Sequence, residues 1–194
     1  MTDFVRTAAV AAFAGLAAGC ADMNTGDGST DLLADGLGGW VETGGADWSF
    51  ADGIVEADTG EGVGYLLTPG DYADFELTVE FYVSEEHNSG VFFRCEDRAN
   101  VVDTTCYEAN IFDERPDQSG RTGGIPNFLP PQVIVDAAGR WNTYVIRAEG
   151  DHITVTLNGV TTVDGTDATF SSGPIALQWG AGTVSFRNVR VTRL

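Results

Sequence analysis

Beyond Trp40 the apolar positions recur every second residue, in short runs cut by turn residues, and no run carries the three-to-four spacing of an amphipathic helix. The cleanest run sets Phe75, Leu77, Val79, Phe81 and Val83 against Glu76, Thr78, Glu80, Tyr82 and Ser84. That is a half-buried strand, because successive side chains point to opposite sides of a sheet. Trp141, Thr143 and Val145 alternate with Asn142, Tyr144 and Ile146, which predicts a strand running to Glu149 with both faces partly covered. Gly150-Asp151 turns it into a run at Ile153, Val155 and Leu157, and Asn158-Gly159 then marks a tight hairpin, since both residues tolerate positive φ. Near the end, Ile175, Leu177 and Trp179 share one parity before Gly180-Ala181-Gly182 turns the chain. Val184 and Phe186 have the opposite parity to Val189 and Val191, which predicts a bulge at Arg187-Asn188. Further strands are expected over 53–58, 62–68, 89–95 and 106–113, with one extended loop over 114–131. About ten or more short strands at regular spacing predict an all-β fold, a two-sheet sandwich or jelly roll.

The N-terminus reads differently. Arg6 precedes an apolar run from Ala8 to Ala18, shorter than the roughly 20 residues that span a bilayer and shaped like a secretory signal. Residues 1–19 are therefore expected to be a signal peptide. Leu16-Ala17-Ala18-Gly19-Cys20 resembles a bacterial lipobox, in which Cys20 becomes the lipidated first residue; the other reading is plain secretion after a nearby cleavage. The expected location is the cell envelope, held to a membrane only through the N-terminal lipid, with a secreted protein as the alternative. Residues 20–35, polar and Gly-rich, read as a flexible tether, and 36–194 as one domain. Export suits the remaining cysteines. With Cys20 taken by lipid, Cys95 and Cys106 form an even pair, either a disulfide or two buried free thiols.

Charge removes one class of partner. Twenty-nine acidic residues face ten basic ones, all Arg, for a net charge of −19. Such a surface repels a phosphate backbone, so nucleic acid is excluded. The acidity reads as solubility in a salty or extracellular medium, or as a face for a hard cation such as Ca²⁺. The sequence carries no GxSxG elbow, HExxH, CxxC or Gly-rich phosphate loop. Glu76 and Glu80 share a face but stand roughly 13 Å apart at strand rise, beyond the about 5–9.5 Å of a glycosidase carboxylate pair.

Several motifs fall in an order that resembles a known family: Gly39-Trp40, Trp48-Ser49-Phe50-Ala51-Asp52-Gly53, Tyr72-Ala73-Asp74-Phe75-Glu76-Leu77, Asn88-Ser89-Gly90-Val91-Phe92-Phe93-Arg94, Tyr107-Glu108, Ile111-Phe112-Asp113, Thr122-Gly123-Gly124-Ile125, Leu157-Asn158-Gly159 and Gly173-Pro174-Ile175-Ala176-Leu177-Gln178. From about residue 36 to 194 the chain is similar to the 3-keto-disaccharide hydrolase domain family. The resemblance implies a concanavalin-like two-sheet jelly roll whose concave face binds sugar, and cleavage of glycosides already oxidised to a ketone at C3. A C3 ketone acidifies the hydrogen on C2. A base then removes it, the anomeric substituent leaves by elimination, and water adds to the enone; the site needs a base, an electrophile for the enolate oxygen and a donor for the leaving group.

Glu108, which matches the family's Tyr-Glu motif, is the expected base. Arg94 is expected to stabilise the enolate or clamp a hydroxyl, and Asp113 to orient Arg94 or join Glu108 in holding a cation. The same residues read equally as structural ion pairs. Asn110 shares a strand face with Glu108 and stands where the family more often has Gln; Gln178 matches the family's Leu-Gln motif, followed here by Trp179-Gly180 where many members carry a His. His87, Tyr107 and Trp179 complete the expected substrate contacts, with core packing as the other reading of the two aromatics. Were Cys95 directly opposite Cys106, Arg94 would face Tyr107 and point away from Glu108. A non-catalytic glycan-binding module on the same fold is the rival to the enzyme.

Overall fold

The structure, a computed structural model, describes residues 28–194; the expected signal peptide and Cys20 lie outside the described residues. Thirteen strands follow one another: β1 (Thr30–Asp31), β2 (Val41–Ala46), β3 (Ser49–Ala51), β4 (Ile54–Ala57), β5 (Gly60–Leu67), β6 (Phe75–Val83), β7 (Asn88–Phe93), β8 (Tyr107–Ile111), β9 (Trp141–Glu149), β10 (His152–Leu157), β11 (Val160–Thr166), β12 (Ala176–Ala181) and β13 (Val184–Arg193). Two short 3₁₀ turns, Gly36–Gly39 and Gln118–Gly120, are the helical elements among the described residues.

The strands form two antiparallel sheets. The larger runs β11-β10-β9-β6-β13-β4-β3, with β1 also paired to β13; the smaller runs β2-β5-β12-β7-β8. Alternation sets the core as expected: Phe75, Leu77, Val79, Phe81 and Val83 are fully buried, packed with Tyr144, Ile146 and Ala148 of β9. From the smaller sheet, Val91, Phe93, Tyr107, Ala109, Ile111, Leu177 and Trp179 meet them. The jelly-roll sandwich follows, because each sheet hides one apolar face against the other.

Local signals sit where the pattern placed them. Asn158 (φ 52°) and Gly159 (φ 80°) make the hairpin turn, and β13 shifts register between Arg187 and Arg190 with Asn188 at φ 50°. The loop between β8 and β9 is longer than expected, reaching residue 140. Part of it closes the edge of β8, where the Asn110 N–H donates to the Gly124 carbonyl and the Gly123 N–H to the Asn110 carbonyl.

The domain begins earlier than its composition suggested. Thr30 and Asp31 pair with Val191 and Arg190, Leu33 is buried, and the Trp40 indole N–H donates to the Leu32 carbonyl at 2.9 Å. Residues 28–35 are thus part of the domain rather than tether. Their Gly- and Asp-rich flanks hide the two leucines that anchor them.

Candidate functional site

On β8, Tyr107, Ala109 and Ile111 face the core, so Glu108 and Asn110 point to the outer face of the smaller sheet. Registers fix what lies beside them. Gly90 is opposite Asn110 on one side and Gln178 on the other, and Gln178 is opposite Tyr65. The row Tyr65–Gln178–Gly90–Asn110 therefore crosses four strands on one face. In the next row Glu108 is opposite Phe92, but its side chain bends back over Gly90. A Cβ added at Gly90 would collide with the Glu108 carboxyl and lie 2.9 Å from its Cγ. A glycine within a strand marks a close approach, and here the approach is made by the expected base.

The Glu108 carboxyl accepts no hydrogen bond from a described residue. Burial and the nearby negative charge of Asp103 push its pKa up to about 8, against the opposing pull of Arg115. Asp103 and Arg115 come from two different loops and pair at 3.3 Å. The Asp103 loop is held twice more: by the Asn127 side chain, which donates to the Asp103 carbonyl at 2.9 Å, and by the disulfide between Cys95 and Cys106. Burial also raises the Tyr65 hydroxyl, as do the charges of Glu108 and Asp103, while the bond from Gln178 opposes them.

Two amide side chains flank the carboxyl. The Asn110 amide donates to the Gly120 carbonyl, and Gln178 Nε2 donates to the Tyr65 hydroxyl at 3.4 Å. Their carbonyl oxygens, Asn110 Oδ1 and Gln178 Oε1, are buried without a partner among the described residues. A buried acceptor left unpaired costs about 1–3 kcal/mol, so the pair is set to receive hydrogen-bond donors.

Four expected site residues are elsewhere. Arg94 has φ 52°, which breaks the alternation and turns its side chain to the interior. There it donates to the carbonyls of Ala73 and Gly150, each at 2.8 Å, and pairs with Asp74 at 3.1 Å. It ties three loops together and does not join Glu108. The same residue resolves the pairing problem. The β7–β8 ladder ends at Phe93 opposite Tyr107, so the disulfide lies beyond it, on the outer face beside Phe92, Val101 and Ala176. Asp113 has the parity of Ile111 and turns inward. Its carboxylate accepts from Thr122 at 2.5 Å, Ala137 at 2.8 Å and Ala138 at 3.0 Å, which makes it a structural acceptor that neither orients Arg94 nor meets Glu108. Tyr107 and Trp179 belong to the inter-sheet core; Tyr107 bonds the Asp167 carboxylate at 2.5 Å and Trp179 donates to the Gly182 carbonyl at 2.8 Å.

His87 is intermediate. Both ring nitrogens are engaged by backbone, Nδ1 with the Ser84 carbonyl at 2.8 Å and Nε2 with the Asp113 N–H at 3.4 Å, yet the ring lines a cavity at one end of the site face. Glu76 and Glu80 pair with Arg147 and Arg187 on the larger sheet. For a cation, Glu108 and Asp113 do not converge, and among the described residues no group of three or more His, Cys, Asp or Glu side chains could hold a metal. Tyr65, Gly90, Asp103 and Arg115 were not anticipated. Of these only Gly90, a glycine inside a strand pattern, carried a readable signal.

Against known proteins, a family model described as the 3-keto-alpha-glucoside-1,2-lyase-like domain matches residues 28–192. Two structures from Parabacteroides distasonis ATCC 8503, each of a protein assigned as a glycosyl hydrolase, share the fold. One is 18% identical with a TM-score of 0.75, covering 87% of this chain and 95% of that one. The other is 24% identical with a TM-score of 0.69, covering 86% and 99%. The carbohydrate-binding module CBM66 of Bacillus subtilis is 19% identical, with a TM-score of 0.60 over 78% of this chain and 93% of that one. No curated protein matches the chain in sequence.

Proposed function

The chain belongs to the 3-keto-alpha-glucoside-1,2-lyase-like domain family, and from that premise we propose that it cleaves glycosides bearing a ketone at C3, with Glu108 as the base. The observation that carries this reading is the Glu108 carboxyl, laid over Gly90 between two unpartnered amide oxygens and holding its proton up to about pH 8. A base works best when its pKa lies near the working pH. A carboxylate of ordinary pKa is a weaker base toward a carbon-bound proton; burial makes this one stronger.

The sequence of steps balances with one carboxyl. Glu108 as carboxylate takes the C2 proton, and the electron pair moves toward the C3 oxygen as an enolate. The enolate collapses to the enone as the C1–O bond breaks, and the departing oxygen takes the proton that Glu108 has just acquired. Water then adds across the double bond, its oxygen to C1 and a proton to C2, so the net change is hydrolysis. Tyr65, kept protonated by its surroundings, supplies an O–H for the developing oxyanion, and the Arg115 guanidinium lends positive charge. Asn110 Oδ1 and Gln178 Oε1 accept from sugar hydroxyls, which sets the ring in place. At the cell envelope, with Cys20 lipidated, such an enzyme meets its substrate outside the cytoplasm.

Release of product from a synthetic 3-keto-glucoside tests the reading. Wild type should turn over, with kcat/KM rising as pH passes about 8, and Glu108→Gln should lose about 10²–10⁴-fold. The assay is run with added calcium and with a chelator. No turnover, with saturable sugar binding, would make the chain a binding module and retire the mechanism.

A further inference from the structure

Beyond the row that holds Gly90 and Asn110, the same face opens into a cavity of about 360 Å³. Its lining includes Asn88, Phe112 and Ala181, with Glu85, Glu86 and Glu114 around it. Asn88 lies two residues before Gly90 on β7, and Phe112 two residues after Asn110, so the cavity begins one strand-step, roughly 7 Å, from the row beneath the Glu108 carboxyl. Phe112 and Ala181 stand outside the inter-sheet core. Both turn apolar surface to the cavity, Phe112 partly buried and Ala181 exposed.

The charge around that surface has one sign. Among the described residues no Arg lines the cavity; Arg115, next to Glu114 in the chain, is paired with Asp103 at 3.3 Å. His87 engages backbone through both ring nitrogens and adds no free donor to the wall. An independent observation points to a ligand beside it. Asn110 and Gln178, whose oxygens have no partner among the described residues, stand on either side of Gly90 in the row next to the cavity, where a bound sugar would satisfy them. A substrate seated on those oxygens extends its anomeric substituent in one of two directions along the strands. One leads to the closed cluster at the disulfide, with Phe92, Val101 and Leu67; the other leads to the cavity.

We infer that this cavity is the subsite for the leaving group, and that it takes an apolar, typically aromatic group that is neutral or positively charged while rejecting one that carries a carboxylate. The inference rests on the reaction proposed above, and it assigns a substrate class. Three carboxylates around a partly enclosed apolar surface repel an anion and favour an ammonium held against Phe112.

The test uses three 3-keto-glucosides whose phenolic leaving groups carry 4-methyl, 4-aminomethyl or 4-carboxymethyl substituents. In the last two a methylene insulates the charge from the phenolic oxygen. At low salt, kcat/KM should be about tenfold or more higher for the aminomethyl than for the carboxymethyl compound. The ratio should fall toward one in Glu85→Gln/Glu114→Gln, and Ala181→Leu, which fills the cavity from an exposed position, should depress all three substrates. In parallel, calorimetry measures binding of 4-(aminomethyl)phenol and 4-hydroxyphenylacetate to wild type and Ala181→Leu. Turnover without charge preference, unchanged in Ala181→Leu, overturns the inference and leaves the reaction standing. No turnover, with 4-(aminomethyl)phenol bound to wild type and lost in Ala181→Leu, keeps the cavity as a site for apolar cations and removes the reaction. Neither turnover nor binding removes both.

Discussion

Replacing Glu108 with Gln should make the protein more stable at high pH, the reverse of what removing a paired carboxylate does. In the folded chain the pKa of Glu108 is raised from 4.5 to about 8, chiefly by burial. Below pH 4.5 both folded and unfolded chains are protonated there, and the group contributes nothing to the pH dependence. Between 4.5 and about 8 the folded state holds a proton that the unfolded state has released, so stability falls as pH rises. Above about 8 both states are ionised and the full penalty remains. At about 1.4 kcal/mol for each tenfold difference in proton affinity, that interval has a ceiling of about 5 kcal/mol. The side chain can swing toward solvent when it ionises, which leaves about 2–4 kcal/mol to be seen. Urea unfolding of wild type and Glu108→Gln at pH 5, 7 and 9, at matched ionic strength and with the disulfide intact, measures it. The net charge of −19 gives both proteins the same background of self-repulsion, so only their difference matters. It should be small at pH 5 and grow to favour Gln by pH 9. Parallel curves over this range would refute the claim that burial perturbs Glu108, and with it the account of why this carboxylate is basic.

Three further substitutions separate site from scaffold. Gly90→Ala should keep the fold, because the colliding atoms belong to a movable side chain, yet lower kcat/KM about tenfold or more by displacing the carboxyl; circular dichroism and turnover on a keto-glucoside check the two halves. Arg94→Met leaves the carbonyls of Ala73 and Gly150 unpaired in the interior and should cost about 3–5 kcal/mol in urea unfolding, with turnover per folded molecule unchanged. Asp113→Ala removes the acceptor for the Ala137 and Ala138 N–H groups and for Thr122, and should lower stability by about 2–4 kcal/mol; a midpoint equal to that of wild type would contradict its structural role.

What could be read from the chain followed from alternation. The burial of β6, the Asn158-Gly159 hairpin and the bulge beside Asn188 all follow from parity and turn chemistry, which are local. The same parity put Glu108 and Asn110 on one face, and Gln178 fell on that face too. Arg94 escaped because one left-handed residue shifts the phase of the chain, and an arginine is not a residue in which positive φ is expected. Asp113 escaped because its partners, Ala137 and Ala138, lie across a loop of more than twenty residues. Parity with Leu177 already placed Trp179 in the core, so its role as a sugar platform was the weaker of two readings. Tyr65, Asp103 and Arg115 reach Glu108 from three separate segments, and nothing local announces that they meet.

The pairing of Thr30 with Val191 has a consequence for how the domain is carried. Entry and exit of the chain lie side by side, on a strand of the larger sheet, whereas Glu108 looks out from the smaller one. A domain that starts and ends at one corner behaves like a bead hung from a single point: it can be tethered there, or spliced into a loop of another protein, without threading chain past its working face. The attachment and the opening sit on opposite layers of the sandwich, so whatever holds the corner leaves the mouth unobstructed.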